Sequence, residues 1–391
     1  MSGNLAEKNI LFAGGGTGGH LYPSIAIAQA LQEMDESINI HFAGTNRGLE
    51  NRIIPEMGYP LHLIAVRGFS RKNPLLNIWI VMLLLYSLAQ CLVLLLRLRP
   101  AAVVGTGGYV SGPVLFLAAM LGIPTLVQEQ NSHPGVTTRM LAKFVDQVHL
   151  SFEESAGYFK NSKKVHVTGN PVRRFDMSNN RENARVFFNL SPDRPTVLVF
   201  GGSQGAVAIN KAFRTSLPRL IAETDAQFIW ITGSTSYESF KKDAKGFNGR
   251  LHIVEYVNNM NIAYQASNLA VCRAGAIAIS ELAICGLPAI LVPFPYATAD
   301  HQTVNAQSYA KTGAARVITE SELNRNQDLL ANSIIELING PEKREKMSAS
   351  AKNASFPNAV DTLARSVLNI MKKQSGRHYG FFIPRQKNII F

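Results

Sequence analysis

Four short apolar runs in this 391-residue chain end in a glycine-bearing turn and pass directly into a helix-length segment, and that punctuation restricts the fold more than any other feature. They are Asn9–Ala13 into Gly14–His20 (GGGTGGH), Ala102–Val104 into Gly105–Pro113 (GTGGYVSGP), Thr196–Phe200 into Gly201–Gly205 (GGSQG), and Leu269–Cys272 into a turn around Gly275. A strand that feeds a tight turn and then a helix is the repeating unit of an open parallel sheet with helices on both faces, so the fold class is α/β. Further strand-like runs at Ile38–Ala43, Leu61–Val66, Thr125–Gln128, Gln147–Leu150 and Val165–Thr168 complete one doubly wound unit. After Gly169–Val172 comes a polar stretch, Arg173–Arg185, and a second series follows with Phe228–Thr232, His252–Val254, Ala289–Val292 and Ala315–Val317. Two Rossmann-like halves are implied, each opening on its own glycine turn.

Composition removes several function classes. With 46% hydrophobic and 17% charged residues the chain can bury a core, which excludes disordered and collagen-like proteins. Cys91, Cys272 and Cys285 are odd in number and lack C-x-x-C spacing, so they read as buried thiols in a reducing compartment. The stretch Met1–Ala13 lacks the apolar region of a signal peptide, and the expected location is the cytosolic side. A net charge of +12 biases the protein toward polyanions: nucleic acid, anionic lipid or phosphorylated substrates.

The segment Ile78–Leu96 contains no charge and approaches the roughly 20 residues needed to span a bilayer. Strand-like runs on either side instead make it the crossover helix of a βαβ unit, because crossing a membrane would keep those strands from pairing. Its apolar outer side, flanked by Arg67, Arg71, Lys72, Arg97 and Arg99, then predicts peripheral attachment to a membrane. The basic, aromatic stretch Arg377–Lys387 has no periodicity and is expected to be poorly ordered or in contact with lipid.

Candidate chemistry gathers at the turns. Gly14–His20 presents backbone N–H groups and a helix dipole to an anion, and His20 adds an imidazole that the dipole keeps neutral, hence able to accept a proton. A nicotinamide-binding loop would want an acid at the end of the next strand; His41–Thr45 has none. Gly107, Gly108 and Tyr109 belong to a second turn on the same sheet, which suggests a polyanionic substrate. Gln128–His133 sets polar side chains at a strand's carboxyl end. In the second half Ser203 aims at a phosphate, Glu281 can grip a ribose diol, and Asp300–Asn305 is densely polar. No metal site is expected: the sequence contains no Asp-x-Asp.

Taken together, Gly14–His20 continuing into Tyr22-Pro23, Gly48–Glu50, Gly105–Pro113, Glu129–Asn131, Gly169–Arg173, Gly201–Gly205, Arg273–Glu281 and Asp300–Asn305 resemble the bacterial MurG glycosyltransferases of peptidoglycan synthesis. The resemblance implies a GT-B architecture with residues 1–170 as a membrane- and acceptor-binding domain, rejoined by a helix at about 358–373. Residues 171–357 would form the donor domain, followed by the tail 374–391. It implies an inverting transfer of N-acetylglucosamine from UDP-N-acetylglucosamine (UDP-GlcNAc) to the 4-hydroxyl of N-acetylmuramic acid in undecaprenyl-pyrophosphoryl-N-acetylmuramoyl-pentapeptide (lipid I). No cofactor and no nucleic acid are implied, and the site of action is the cytoplasmic face of the plasma membrane. Donor contacts carry over to Thr17, Gly18, Gly19, Asn131, Arg173, Ser203, Val257 and Gln302, and to Ala276, Ile277, Ala278, Ile279, Ser280 and Glu281. Gly14, Gly15, Gly16, Gly107, Gly108 and Tyr109 fall on the acceptor side. His20 is the candidate base and Glu129 the reserve. Ala278 stands where a hydroxyl residue is frequent, and Ile78–Leu96 is more apolar than expected. A GT-B enzyme with another lipid or natural-product acceptor, a nicotinamide oxidoreductase and a noncatalytic membrane scaffold are the rivals.

Overall fold

The computed structural model describes residues 8–68, 74–160, 162–174, 180–202, 204–242, 247 and 249–374. Ser203, Arg71, Lys72 and the tail 375–391, all of which the sequence singles out, lie outside the described residues.

The first half runs β1 (Lys8–Gly14), α1 (Gly18–Met34), β2 (Ile38–Gly44), α2 (Glu50–Glu56), β3 (Leu61–Leu63), α3 (Pro74–Leu98), β4 (Ala102–Gly107), α4 (Ser111–Met120), β5 (Thr125–Glu129), α5 (Val136–Leu141), β6 (Gln147–Leu150) and β7 (Val165–Val167). The second runs α6 (Arg181–Phe187), β8 (Thr196–Phe200), α7 (Val207–Glu223), β9 (Gln227–Ile231), α8 (Tyr237–Phe240), β10 (Leu251–Val254), α9 (Met260–Ala266), β11 (Leu269–Cys272), α10 (Ala276–Ile284), β12 (Ala289–Leu291), α11 (His301–Lys311), β13 (Ala315–Val317), α12 (Glu320–Arg325), α13 (Leu329–Asn339) and α14 (Pro341–Asn353). A last helix, α15 (Ala359–Gln374), crosses back and packs on α1 and β4 of the first half.

The strands form two parallel sheets in the orders β3-β2-β1-β4-β5-β6-β7 and β10-β9-β8-β11-β12-β13. Each sheet buries both faces, as an all-parallel sheet must. Along β1, Ile10 and Phe12 point toward α1 and α15 while Leu11 and Ala13 point toward α3 and α4. In the second sheet Val197, Val199 and Trp230 alternate in the same way with Leu198, Phe200 and Ile231. The indole N–H of buried Trp230 donates to Asn210 at 3.0 Å, which satisfies that ring in the core.

Three expectations need correction. The run Leu61–Val66 is a strand only to Leu63, because beyond it the Ile64 amide bonds the end of β2 at Gly44 and the Ala65 amide turns to Gln90 on α3. The strands flanking the apolar segment share a sheet but do not pair, since β2 and β1 lie between β3 and β4. Helix α1 starts at Gly18, earlier than the apolar periodicity beginning at Leu21 suggests.

Helix α3 is long and apolar enough to cross a membrane by length and composition. It packs along α4 and buries a stripe of Ile80, Ser87, Cys91 and Leu95 at helical spacing. The opposite side exposes Ile78, Trp79, Val81, Met82, Leu85, Tyr86, Val93 and Leu96.

Candidate active site

In each sheet the strand order reverses at one point, between β1 and β4 and between β8 and β11, and ligands of open α/β sheets bind outside the carboxyl ends of strands at such points. All four glycine-bearing turns lie there. The helices that follow, α1, α4, α7 and α10, have no side-chain cap and no acid in their first turn. Helix α12, away from these points, carries a full capping box of Thr319 and Glu322. Helices α5 and α13 also start uncapped, but at the switch points such a start leaves backbone N–H groups and the positive dipole end open to an anionic ligand.

The two carboxyl edges face each other. Ser132, on the loop after β5, donates its amide and its hydroxyl to Asn305 Oδ1 on α11, each at 2.8 Å. Asn305 Nδ2 reaches Asn131 Oδ1 at 3.2 Å and the Ala274 carbonyl at 3.4 Å. His20 is close enough to His301, at the start of α11, to feel its charge. Just ahead of His301, Ala299 and Asp300 both hold left-handed backbone, a strained state for residues other than glycine.

His20 lies in the first turn of α1 with Nδ1 at 3.3 Å from the Gly15 carbonyl and 3.3 Å from Thr17 Oγ1. A carbonyl oxygen only accepts, so the contact assigns the proton to Nδ1 and leaves the Nε2 lone pair free. The ring sits over Gly107, where a Cβ would come within 2.6 Å of Cδ2, so glycine is required there as much for the imidazole as for the turn. The His20 pKa is lowered chiefly by burial, with His301 adding to the effect and Glu129, the Gly15 contact and Glu50 opposing it. Burial, which the sequence reading did not name, is thus the largest of these causes.

Glu129 is buried at the end of β5. Its Oε1 accepts from the amide and side chain of Asn131 at 3.1 and 3.3 Å, and its Oε2 accepts from the Gly135 amide at 3.0 Å. Both oxygens are engaged in holding the loop that carries Asn131 and Ser132.

In the second half, Glu281 is buried and accepts a 2.8 Å bond from the Tyr264 hydroxyl. Burial raises its pKa, opposed by the Tyr264 bond and by the charge of Arg173. Burial and the Glu281 charge push the Tyr264 phenol up, which keeps it protonated as the donor. Arg173, exposed on the interdomain linker, extends to the Asn258 carbonyl at 3.5 Å. Val257 and Ile279 are buried in the core, Ala276 starts α10, Ile277 and Ala278 are half-buried, and the Ser280 hydroxyl is turned back on the Ala276 carbonyl. The amide of Phe294 donates to Gln302 Oε1 at 3.0 Å, which aims the amide nitrogen of Gln302 away from that loop. Arg273 fixes the same loop: it bonds the Val292 and Pro293 carbonyls, pairs with Glu320 and covers the Phe294 ring.

The acceptor-side residues divide. Gly14 belongs to β1, where a Cβ would strike Thr106 Oγ1 at 1.9 Å. The amide of Gly16 donates to buried Glu50 at 2.7 Å and is not available to a ligand. Thr17, Gly18 and Gly19 stand at the uncapped start of α1. Tyr109 is exposed, and its ring lies so close to Gly68 that a Cβ there would overlap it, which puts the second turn beside the chain entering α3. Among the described residues no group of three or more His, Cys, Asp and Glu is placed to hold a metal ion.

Known proteins share this arrangement. Residues 10–150 match the glycosyltransferase family 28 N-terminal domain and residues 196–363 the family 28 C-terminal domain. The UDP-N-acetylglucosamine--N-acetylmuramyl-(pentapeptide) pyrophosphoryl-undecaprenol N-acetylglucosamine transferase of Chlorobium limicola is 43% identical over 93% of this chain and 100% of its own. The transferase of the same name from Acetivibrio thermocellus is 40% identical over 94% and 99%. The crystal structure of Acinetobacter baumannii MurG superposes with a TM-score of 0.75 at 27% identity, covering 93% of this chain and 99% of that one. The chain belongs to the MurG family. It is a glycosyltransferase of GT-B architecture, built from two Rossmann-like domains.

Within this MurG-family site, sequence reasoning missed Tyr264 as the donor to Glu281, Asn305 as the contact between domains, Arg273 as the clamp on the Phe294 loop, and Glu50. Only Glu50, Arg273 and Asn305 stood in recognisable motifs, and none had a stated task. Tyr264 had no local signal, because it comes from a different helix, α9, and meets Glu281 only through packing.

Proposed function

We propose that this chain transfers N-acetylglucosamine from UDP-GlcNAc to the 4-hydroxyl of the N-acetylmuramic acid of lipid I, forming lipid II with inversion at the anomeric carbon. Family membership supports the two substrates, which the names of its relatives state. The observation that carries the chemistry is His20: a neutral imidazole whose Nδ1–H is held by Gly15, leaving Nε2 as a proton acceptor. The acceptor oxygen attacks the anomeric carbon, its proton passes to Nε2, and the bond from that carbon to the UDP oxygen breaks. UDP leaves carrying the developing negative charge. The open amides at the start of α10, Arg173 and the turn after β8 with Ser203 meet that charge. Glu281 accepts from the ribose diol, the Val257 backbone meets the uracil, and Asn131 and Gln302 recognise sugar hydroxyls. Thr17, Gly18 and Gly19 line the donor from the opposite side, and Gly107, Gly108 and Tyr109 line the acceptor. Glu129, with both oxygens bonded to its own loop, positions Asn131 rather than taking the proton.

The acceptor is lipid-borne, and the exposed apolar side of α3, continued by Met120, Val136, Met140 and Phe144 on and beside α4 and α5, serves as the membrane face. Arg67, Arg97, Arg99 and Lys143 around it favour an anionic surface, so attachment is peripheral and the positive charge is spent on lipid, not nucleic acid. The test is release of UDP from UDP-GlcNAc by the purified enzyme with and without a lipid I analogue. Acceptor-dependent release is expected; release without acceptor, or NADH oxidation in its place, contradicts the reading.

A further inference from the structure

Glu50 is 1% exposed at the start of α2 and has no ion-pair partner among the described residues. Its Oε1 accepts from the amide and hydroxyl of Thr45, both at 2.9 Å, and its Oε2 accepts from the Gly16 amide at 2.7 Å. Three glycines from three segments make room for this one carboxylate: a Cβ on Gly15 would lie 2.4 Å from its Cδ, one on Gly44 2.5 Å from its Cγ, and one on Gly48 2.0 Å from its Oε2. A carboxylate needed only to start a helix would not require such a cage.

The Gly16 N–H and the Gly15 carbonyl are the two ends of one peptide group. Glu50 takes the N–H end, and the carbonyl end takes Nδ1–H of His20 at 3.3 Å. A carboxylate bonded to a peptide N–H polarises that peptide and makes its carbonyl a stronger acceptor. We propose that Glu50 is the positioning residue of His20, acting through the 15–16 peptide as a carboxylate–imidazole pair with one peptide group inserted. It sets the ring's orientation and tautomer and adds negative charge beside it. Charged and titratable groups facing His20 come from three elements: Glu50 on α2, Glu129 on β5 and His301 on α11. The inference rests on the assignment of His20 as base.

The test compares Glu50→Gln, Glu50→Asp and His20→Ala with the native enzyme. It measures kcat, donor KM and their pH dependence, together with the titration of His20 by 15N NMR, its signal identified by its loss in His20→Ala. In E50Q the negative charge is gone, so the His20 pKa falls. The acid limb of kcat then moves to lower pH. Loss of alignment lowers kcat by about 10²-fold, with donor KM little changed. E50D keeps the charge, so its acid limb stays in place and part of kcat returns. Native kcat and an unmoved His20 titration in E50Q overturn the proposal. If instead His20→Ala retains activity and the acid limb, the base assignment fails, while the NMR titration still reads the Glu50–His20 link. Should E50Q not fold, Thr45→Val removes one anchor and keeps the charge: a severalfold lower kcat on an unmoved limb is expected, and native kcat overturns the proposal.

Discussion

A histidine acting as base must be neutral, so the rate rises with pH as His20 loses its proton. Because burial lowers its pKa, the acid limb of kcat/KM should fall below about 6.5, the ordinary imidazole value. A limb above that value contradicts the environment described for the ring. His20→Ala should lower kcat by about 10²–10⁴-fold, as removal of a general base does, while UDP affinity by calorimetry changes little. Equal losses in both would make it a binding residue. Glu281 shifts the other way: burial raises its pKa, so acidification protonates it before an ordinary glutamate. Donor affinity should therefore drop on going from pH 7 to pH 5, and Glu281→Ala should abolish that dependence while weakening UDP binding. His20 and Glu281 were legible in the sequence because a polar side chain beside a glycine turn has little structural excuse. Glu50 was not: it works through a backbone amide, and no residue pattern records which peptide a carboxylate will reach.

At the scale of elements, every strand of both sheets coincides with a largely apolar run in the sequence, most plainly in the central strands, which are buried on both faces and have few polar positions to blur them. The end of β3 was illegible for the complementary reason: past His62 the run Leu63–Val66 is apolar without a break, and only the length of β2 and the side chain of Gln90 decide where pairing stops. The starts of α7 and α10 follow Ala206 and Gly275, which have no capping side chain, whereas Thr17 stands at the N-cap of α1 without capping it, so only the structure shows that start to be open. Helix α3 read correctly as a crossover, but which of its sides was buried depended on α4. Trp79 and Leu85 lie on the exposed side, so replacing both by glutamate should abolish sedimentation with anionic vesicles and leave the thermal midpoint unchanged. Undiminished vesicle binding would remove α3 from the membrane face.

For the molecule as a whole, contacts that fix how the halves meet include the Asn305 junction, Phe152 packed against the core of the second half, and the linker that runs past Gly169. Gly169 has a left-handed backbone and lies against Phe356 on the returning chain, so both crossings pass one point. Replacing Asn305 with leucine strands the buried Ser132 amide and hydroxyl, at a cost of about 1–3 kcal/mol for each unsatisfied group. A lower calorimetric midpoint is expected, together with more UDP release in the absence of acceptor as the cleft loosens; an unchanged midpoint would mean the junction contributes nothing. Sequence alone implied two similar halves but not their mutual orientation, since contacts such as Ser132 with Asn305 join positions 173 residues apart. The most direct test of the central claim is a crystal structure of the enzyme with UDP-GlcNAc. The diphosphate should rest on the amino end of α10, with the ribose diol on Glu281 and the anomeric carbon turned across the cleft toward His20 Nε2. A nucleotide seated on Gly14–Gly16, or a sugar turned away from His20, would contradict it.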